Sequence, residues 1–216
     1  YCEQDFVVGQ LQPHLGPLGT HITAPILGKP GHKGGNVQLQ RIRTAVLASF
    51  HDRDCFVTTL VDLYGLKGVW PGKERWRQHG GDLKAHCEAD ILAEARGALG
   101  EQFRGDRFIP YIQRHEYEAL FFSDPRALAL GLGLPDFEHA IRDVLKQFEN
   151  PEAINQGEST HPKARVKSWL SDYDDRERTV ASNIWQGLSL ASVRAACPEF
   201  DRWMGTLERL GSQPRP

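Results

Sequence analysis

Hydrophobic and polar residues follow one another along this chain in blocks that predict short strands separated by amphipathic helices. Two apolar, β-branched runs have the length and composition of buried strands, Cys55 to Val61 and Phe108 to Ile112, and residues 21–27 form a third candidate. Helical spacing of apolar residues covers residues 2–15, 37–50 and 83–99. Because strands alternate with helices in this order, the pattern predicts an α/β fold with a small parallel sheet flanked by helices.

Beyond Pro125 the pattern changes, and only helical periodicity is found. It predicts helices at 126–132, 136–148 and 162–170, and then two helices between Arg176 and Leu210, separated near Leu188-Ser189 and by Pro198. A polar, turn-rich stretch at 150–163 separates two of them. We therefore predict an α/β core over residues 1–125 and a helical C-terminal extension, residues 126–216, that packs on the core.

Charged side chains stand at the ends of both predicted strands. Asp62 follows the first strand, and His115, Glu116 and Glu118 follow the second. If the two strands are parallel neighbours, their carboxyl ends lie at one edge of the sheet, where ligand sites of open α/β sheets are found. Clustered carboxylates are the hard oxygen ligands that Mg²⁺ or Mn²⁺ prefers. The pattern thus predicts a metal site formed by Asp62, Glu116 and Glu118.

Each of these residues also has an ordinary structural explanation. An aspartate after a strand, such as Asp62, is commonly a turn residue or a helix N-cap. If a helix begins at residues 116–122, Glu116 and Glu118 lie in its first turn, where the helix dipole favours acidic side chains. His115 is then a structural histidine. Only the combination of these residues favours a site.

Composition narrows the classes of partner. The 216 residues are 40% hydrophobic, and no apolar run approaches the roughly 20 residues that span a bilayer, so we expect a soluble protein without a membrane partner. The formal net charge of −2 argues against coating nucleic acid without selectivity. Three local groups could still guide a polyanion or merely be solvated surface: Lys29, His32 and Lys33; Lys73, Arg75 and Arg77 with Trp76; and Lys163, Arg165 and Lys167.

The cysteines and the glycine-rich loop exclude two common kinds of site. The four cysteines are widely scattered without a C-x-x-C pair, which excludes a zinc ribbon or thioredoxin motif and favours reduced thiols in the cytoplasm, although disulfides stay possible. The loop at residues 28–35 lacks the spacing of a Walker A motif and the Lys-Ser or Lys-Thr that ends it. We expect no ATP site there.

Three segments resemble a known family. They are TTLVDLYGLKGVWPG at 58–72, HEYEALFFSDP at 115–125 and INQGESTHPKARV at 154–166. Together they resemble the prokaryotic family DUF4276, which is grouped with Toprim-like domains. The resemblance implies a compact Toprim-like (Rossmann-like) α/β fold that holds Mg²⁺ on a glutamate after its first strand and on aspartates after a later strand. Asp62 matches the first aspartate, Tyr64 stands in place of the second, and Glu116 and Glu118 would supply the remaining carboxylates.

The start of the chain resembles the second half of the first Toprim motif. Residues 1–6, Tyr-Cys-Glu-Gln-Asp-Phe, match the part of that motif that leads into a helix. The resemblance therefore implies that the first strand and its glutamate lie upstream of Tyr1. Glu3 is a secondary candidate ligand, and its simpler interpretation is a carboxylate in the first turn of a helix.

The resemblance implies a Mg²⁺-dependent nuclease, acting on DNA rather than RNA, in a prokaryotic antiviral defence system with an ATPase partner. His115 would assist proton transfer, Lys33, Lys163 and Arg165 would neutralise phosphate, and Gly34 and Gly35 would let the backbone approach the substrate. Two alternatives stay open. One is a degenerate Toprim-like module that binds nucleic acid or a protein without cutting, and the other is an enzyme that acts on small phosphate esters.

Overall fold

The structure is a computed structural model that describes residues 2–25, 37–52, 55–155, 157 and 159–212. In chain order its α-helices are α1 (Cys2–Phe6), α2 (Gln12–Leu15), α3 (Leu39–Phe50), α4 (Pro71–His79), α5 (Leu83–Leu99), α6 (Pro125–Leu132), α7 (Glu138–Leu145), α8 (Pro162–Trp169), α9 (Tyr173–Gly187), α10 (Leu190–Ala196) and α11 (Pro198–Leu210). Its strands are β1 (Val37–Gln38), β2 (Val57–Thr58), β3 (Val61–Asp62), β4 (Leu66–Lys67), β5 (Phe108–Ile109) and β6 (Ile112–Gln113). The fold is mixed α/β, as the sequence predicts.

The chain divides into two compact units. Among the described residues, the first unit contains those within 2–25 and 114–212, and the second contains those within 37–113. This division differs from the predicted boundary at residue 125, because α1 and the 3₁₀ helix Tyr117–Ser123 belong to the helical unit. Six residues of that 3₁₀ helix are buried, so the segment predicted to edge the sheet domain is part of the core of the other unit.

The second unit contains the parallel strands. Strand β2 pairs with β5 and β3 pairs with β6, in one continuous register that sets Val57 opposite Phe108 and Val61 opposite Ile112. The pairing is interrupted between Ile109 and Ile112, where Pro110 has no backbone N–H to donate. There the Thr59 hydroxyl donates to the Tyr111 carbonyl (2.8 Å) and accepts the Tyr111 N–H (2.9 Å). The predicted pairing of these two strands is confirmed.

Helices α3 and α5 cover these strands and form the core of the second unit. Ile42, Val46 and Phe50 of α3 and Cys87 and Ile91 of α5 are buried in it. Asp82 caps α5 by accepting the Lys84 N–H, and the helix has the predicted bounds. The predicted start of α3 at Val37 is wrong by two residues, because Val37 and Gln38 pair with β4.

The candidate strand at 21–27 is not found: residues 21–25 form no strand, and residues 26 and 27 lie outside the described residues. Helix α4 begins with Pro71 at its first helical position, where the missing N–H of proline costs nothing.

The regular elements of the first unit are all helices within its described residues, so no strand follows Pro125 there, as predicted. The predicted helix at 2–15 is present as α1, a π-helical turn at Val7–Leu11, and α2. Its Phe6 ring stacks on Trp185 of α9, with 4.8 Å between ring centroids. The predicted breaks at Leu188–Ser189 and Pro198 are present, but they separate three helices, α9, α10 and α11, where two were predicted, and α9 begins at Tyr173. No helix in the described part of the chain is long and apolar enough to cross a membrane.

Candidate functional site

Two of the three segments that resemble the family meet in the first unit. Glu116, from the 115–125 segment, contacts His161 from the 154–166 segment, with 2.6 Å between its Oε2 and the Nδ1 of the imidazole. The same carboxylate oxygen accepts the Lys163 backbone N–H at 2.9 Å, at the start of α8. Glu116 therefore satisfies a donor at a helix N-terminus, where the helix dipole favours a negative charge.

Glu118 lies two residues further on, inside the buried 3₁₀ helix Tyr117–Ser123. Its Oε1 accepts a hydrogen bond from the Tyr173 hydroxyl at 3.3 Å and lies 3.5 Å from the Lys163 ammonium. That ammonium also donates to Glu177 of α9 at 2.9 Å and lies 4.0 Å from Asp174. We call Lys163, Glu118, Asp174 and Glu177 the Lys163 cluster. It brings three carboxylates around one cation.

Burial and crowding set the protonation of the Lys163 cluster. Burial raises the pKa of Glu118 to about 7, the nearby Glu116 and Glu177 add to the increase, and Lys163 opposes it. Burial alone would lower the pKa of Lys163, but Glu118 and Glu177 raise it above its usual value. Glu118 therefore changes between its protonated and ionised forms near neutral pH, whereas Lys163 stays positively charged.

His115 has an unusual backbone conformation next to these residues in the chain. Its φ is 64°, in the left-handed region that histidine occupies more readily than most side chains. Burial lowers its pKa to about 4, and the neighbouring Arg114, which is paired with Glu199 at 2.6 Å, lowers it further. The imidazole is therefore neutral at pH 7. The predicted role of His115 in proton transfer stays a prediction, limited to accepting a proton.

Asp62 ends strand β3, half-buried and opposite Gln113 of β6. The parallel neighbours needed for the predicted metal site are present, but Asp62 belongs to the second unit whereas Glu116 and Glu118 belong to the first. The convergence of these three carboxylates stays a prediction. Within the described residues, no group of three or more His, Cys, Asp or Glu side chains is arranged to hold a metal ion.

Of the residues predicted to bind phosphate, only Lys163 and Arg165 are described, and both have contacts within the protein. Lys33, Gly34 and Gly35 lie outside the described residues. Lys163 is engaged by the carboxylates of its cluster. Arg165 donates its Nε–H to the Thr160 carbonyl at 2.7 Å, and its guanidinium lies over the Phe148 ring, 5.6 Å from the centroid, so it supports the 154–166 segment. Its role toward a substrate stays a prediction.

Sequence reasoning missed four residues of this region, namely His161, Tyr173, Asp174 and Glu177. Tyr173 and Glu177 are spaced by one helical turn, which places both on one face of α9. His161 directly precedes Pro162, a common arrangement at the start of a helix. These signals are local and frequent, so they do not by themselves indicate a site. Glu3 lies in the first turn of α1, where the simpler interpretation placed it.

The beginning of α1 reaches the same region. The Cys2 thiol lies 3.9 Å from the Glu177 Oε1. Burial raises the pKa of Cys2 to about 12, with Glu177 and Glu3 adding to the increase. Cys2 is therefore a buried thiol that stays protonated. None of the four cysteines, all of which are described, forms a disulfide.

Comparison with curated proteins found no match, and comparison with solved structures found none either. A family described as "Domain of unknown function (DUF4276)" matches residues 1–208. That match covers almost the whole chain and includes all three segments that resemble the family. The protein therefore belongs to the DUF4276 family.

Proposed function

We propose that this protein is a Toprim-like, Mg²⁺-dependent nuclease that hydrolyses phosphodiester bonds of nucleic acid, DNA rather than RNA. The observation that carries the proposal is the gathering of Glu118, Asp174 and Glu177 around Lys163. Glu118 is buried, whereas Glu177 is half-buried and Asp174 is exposed. A buried carboxylate is costly unless positive charge compensates it. An enzyme that binds phosphate through a divalent cation needs carboxylates gathered in this way.

The side-chain chemistry of this region suits magnesium, although the described residues are not arranged as a metal site. Glu116, Glu118 and Glu177 offer carboxylate oxygens, the hard ligands that Mg²⁺ selects. Burial is the largest cause of the raised pKa of Glu118, and the nearby Glu116 and Glu177 add to it. When bound, Mg²⁺ would activate water and stabilise the leaving oxygen. Asp62, predicted as a further ligand, is part of the proposal and is tested separately.

His161 and Lys163 have roles in this proposal that follow from their contacts. The short contact with Glu116 orients the His161 ring, whose Nδ1 also lies 3.3 Å from the Ala164 backbone nitrogen. In the same way, Glu118 and Glu177 hold the Lys163 ammonium in place. We propose that His161 moves protons in the site, together with or instead of His115, and that Lys163 contacts the phosphate.

The biological setting in this proposal rests on the resemblance to Toprim-like proteins. Such proteins are often associated with ATPases in prokaryotic defence. We therefore propose an ATPase partner in an antiviral system, in a prokaryotic cytoplasm.

Cleavage of labelled DNA and RNA by the complete protein tests the nuclease proposal. We expect Mg²⁺- or Mn²⁺-dependent cutting that falls by at least about 100-fold in Glu118→Gln and in Asp62→Asn, since each removes a proposed metal ligand. Glu208→Gln is the matched control, because Glu208 is a part-buried glutamate paired with Arg194 and His14, away from the Lys163 cluster. Cutting that persists in Glu118→Gln, or that is lost equally in Glu208→Gln, would contradict the proposal.

A second candidate function is a Toprim-like module that binds nucleic acid or a protein without cutting it. Two observations favour it: Lys163 already neutralises the carboxylates around it, and Tyr64 stands where the Toprim pattern has an aspartate. The same assay distinguishes the two candidates. Binding without cutting, at every metal tested and with or without an ATPase partner, would assign the protein to the binding class.

A further inference from the structure

An exposed surface of the second unit combines apolar and basic side chains. Val69, in the loop before α4, is 88% exposed, and Trp76, in the middle of α4, is 40% exposed. Lys67, at the end of β4, and Arg77, in α4, are also exposed. We call Lys67, Val69, Trp76 and Arg77 the α4 surface. A tryptophan left open to water beside arginine and lysine is typical of binding surfaces.

The charge of this surface is mostly uncompensated. Arg77 pairs with Glu74 at 3.1 Å, but both side chains are more than half exposed, so a ligand can replace the pair at little cost. Arg75 is held by the buried Asp90 at 2.6 Å and is therefore structural. Burial lowers the pKa of Lys73, and the charges of Lys67 and Arg77 lower it further. Lys73 lies one helical turn before Arg77, and its ammonium reaches the carbonyl of Leu66, the neighbour of Lys67 in the chain, so the basic groups lie close together.

The surface is also held firmly in place. The N–H of Gly72 donates to Asp90 at 2.6 Å, and a side chain at Gly72 would lie 2.5 Å from the His86 carbonyl oxygen, so α4 packs tightly on α5. The indole N–H of the buried Trp70 donates to the Lys67 carbonyl at 3.1 Å, and the Lys73 ammonium donates to the Leu66 carbonyl at 2.7 Å. A surface ordered in advance loses less entropy when it binds a ligand.

We propose that the α4 surface binds single-stranded nucleic acid, with a base stacked on Trp76 and phosphates contacted by Arg77 and Lys67. A single strand offers both the flat base and the phosphates that these groups fit, whereas the bases of a duplex are already stacked on one another. An acidic protein would use the two cations but would gain less from the indole. The inference rests on the proposed function, because it names the strand form of the same substrate.

Binding of short labelled oligonucleotides to the complete protein in EDTA tests this inference, because no metal-dependent cutting can interfere. We expect Trp76→Ala to weaken binding of single strands by roughly 5- to 150-fold, the range for loss of one stacked base. Trp76→Phe should restore part of the affinity, since a smaller ring can still stack. Arg77→Ala should weaken binding and reduce the salt dependence of the affinity by about 0.7 in the log–log slope, as expected for one lost phosphate contact.

Arg142→Ala is the matched control for Arg77. Arg142 is an exposed arginine on α7 of the first unit and is paired with Glu138 at 2.6 Å. Trp76 is exposed, so the thermal midpoint of Trp76→Ala should stay within a few degrees of that of wild type. An affinity for single strands that is unchanged in Trp76→Ala, or that falls equally in Arg142→Ala, would overturn the inference. If the protein binds polyglutamate but none of the oligonucleotides, the surface fits an acidic protein, and the inference is overturned.

The outcome for this surface can be separated from that for the nuclease proposal. Tight binding of single strands in EDTA that depends on Trp76, without any cutting when Mg²⁺ or Mn²⁺ is added, would support the α4 surface and contradict the nuclease. Metal-dependent cutting that requires Glu118 but is insensitive to Trp76→Ala, in protein whose affinity is also unchanged, would support the nuclease and contradict the α4 surface.

Discussion

At the scale of single residues, the surroundings of a glutamate determine whether its pKa is raised or lowered. Glu118 is buried beside other carboxylates, and its pKa is raised to about 7. For Glu208, burial also acts to raise the pKa, but hydrogen bonds from His14 and Arg194 outweigh it and lower the pKa below its usual value. The same side chain thus favours opposite protonation states in two parts of the first unit, and the two glutamates should affect stability in opposite directions.

We expect the stability of wild type to fall as pH rises from the usual glutamate value of 4.5 to about 7, because over this range folded Glu118 keeps a proton that the unfolded chain has released. The fall attributable to this group is on the order of 2 to 3 kcal/mol. Glu118→Gln cannot ionise, so its free energy of unfolding should be close to that of wild type at pH 5 and higher at pH 8. Chemical denaturation in EDTA at several pH values measures both.

Glu208→Gln is again the matched control. The lowered pKa of Glu208 means that its contribution to stability is present above the usual glutamate pKa and is lost as pH falls through the folded value. The variant should therefore be less stable than wild type at pH 8, the reverse of Glu118→Gln. Parallel pH profiles for wild type and Glu118→Gln would show that Glu118 is ionised in the folded protein at pH 5.

At the scale of elements, close helix packing depends on particular glycines. Helices α6 and α9 approach each other at Gly131, where an added Cβ would lie 2.4 to 2.7 Å from the side chain and backbone of Ile184. Gly97, in the exposed part of α5, has nothing within 4 Å of such an atom. The two glycines occupy similar helical positions, but only the first is required by packing.

Gly131→Ala should destabilise the first unit by about 1 to 3 kcal/mol, because the backbone of α9 would have to move away from α6. Gly97→Ala should instead stabilise the second unit by about 0.5 to 1 kcal/mol, since alanine favours the helix without a clash. Thermal and chemical denaturation of both variants tests the pair. A Gly131→Ala protein as stable as wild type would show that α6 and α9 are further apart than the structure has them.

At the scale of the whole molecule, sequence reasoning succeeded where the signals are local. Helix α5 has its predicted bounds because Asp82 and Gly100 mark its ends and its apolar residues have helical spacing. The Lys163 cluster was not predicted, because Glu118, Lys163 and Glu177 are far apart in the sequence and are joined only by the packing of helices. The packing of the Tyr117–Ser123 helix was hidden for the same reason: Tyr117 contacts Phe6 and Trp185, at distant positions in the sequence.

The division into two units predicts a regional response to core substitutions. Phe6→Ala should cost about 3 to 5 kcal/mol, because Phe6 is buried against Trp185, Tyr117 and Phe200 of the first unit. Hydrogen exchange should then show lost protection within residues 114–212, with residues 37–113 largely unchanged. Phe50→Ala, in the core of the second unit, should give the reverse. Equal loss in both ranges for either variant would mean that the chain unfolds as one unit.

The positive φ of His115 affects how any mutational scan of this protein should be interpreted. A backbone held in the left-handed region accepts glycine or asparagine more readily than alanine or valine, whatever the side chain does chemically. A low score for alanine at this position therefore combines the loss of an imidazole with the strain of a displaced chain just before Glu116 and Glu118. Only the contrast between His115→Asn and His115→Ala separates a histidine kept for its chemistry from one kept for its shape.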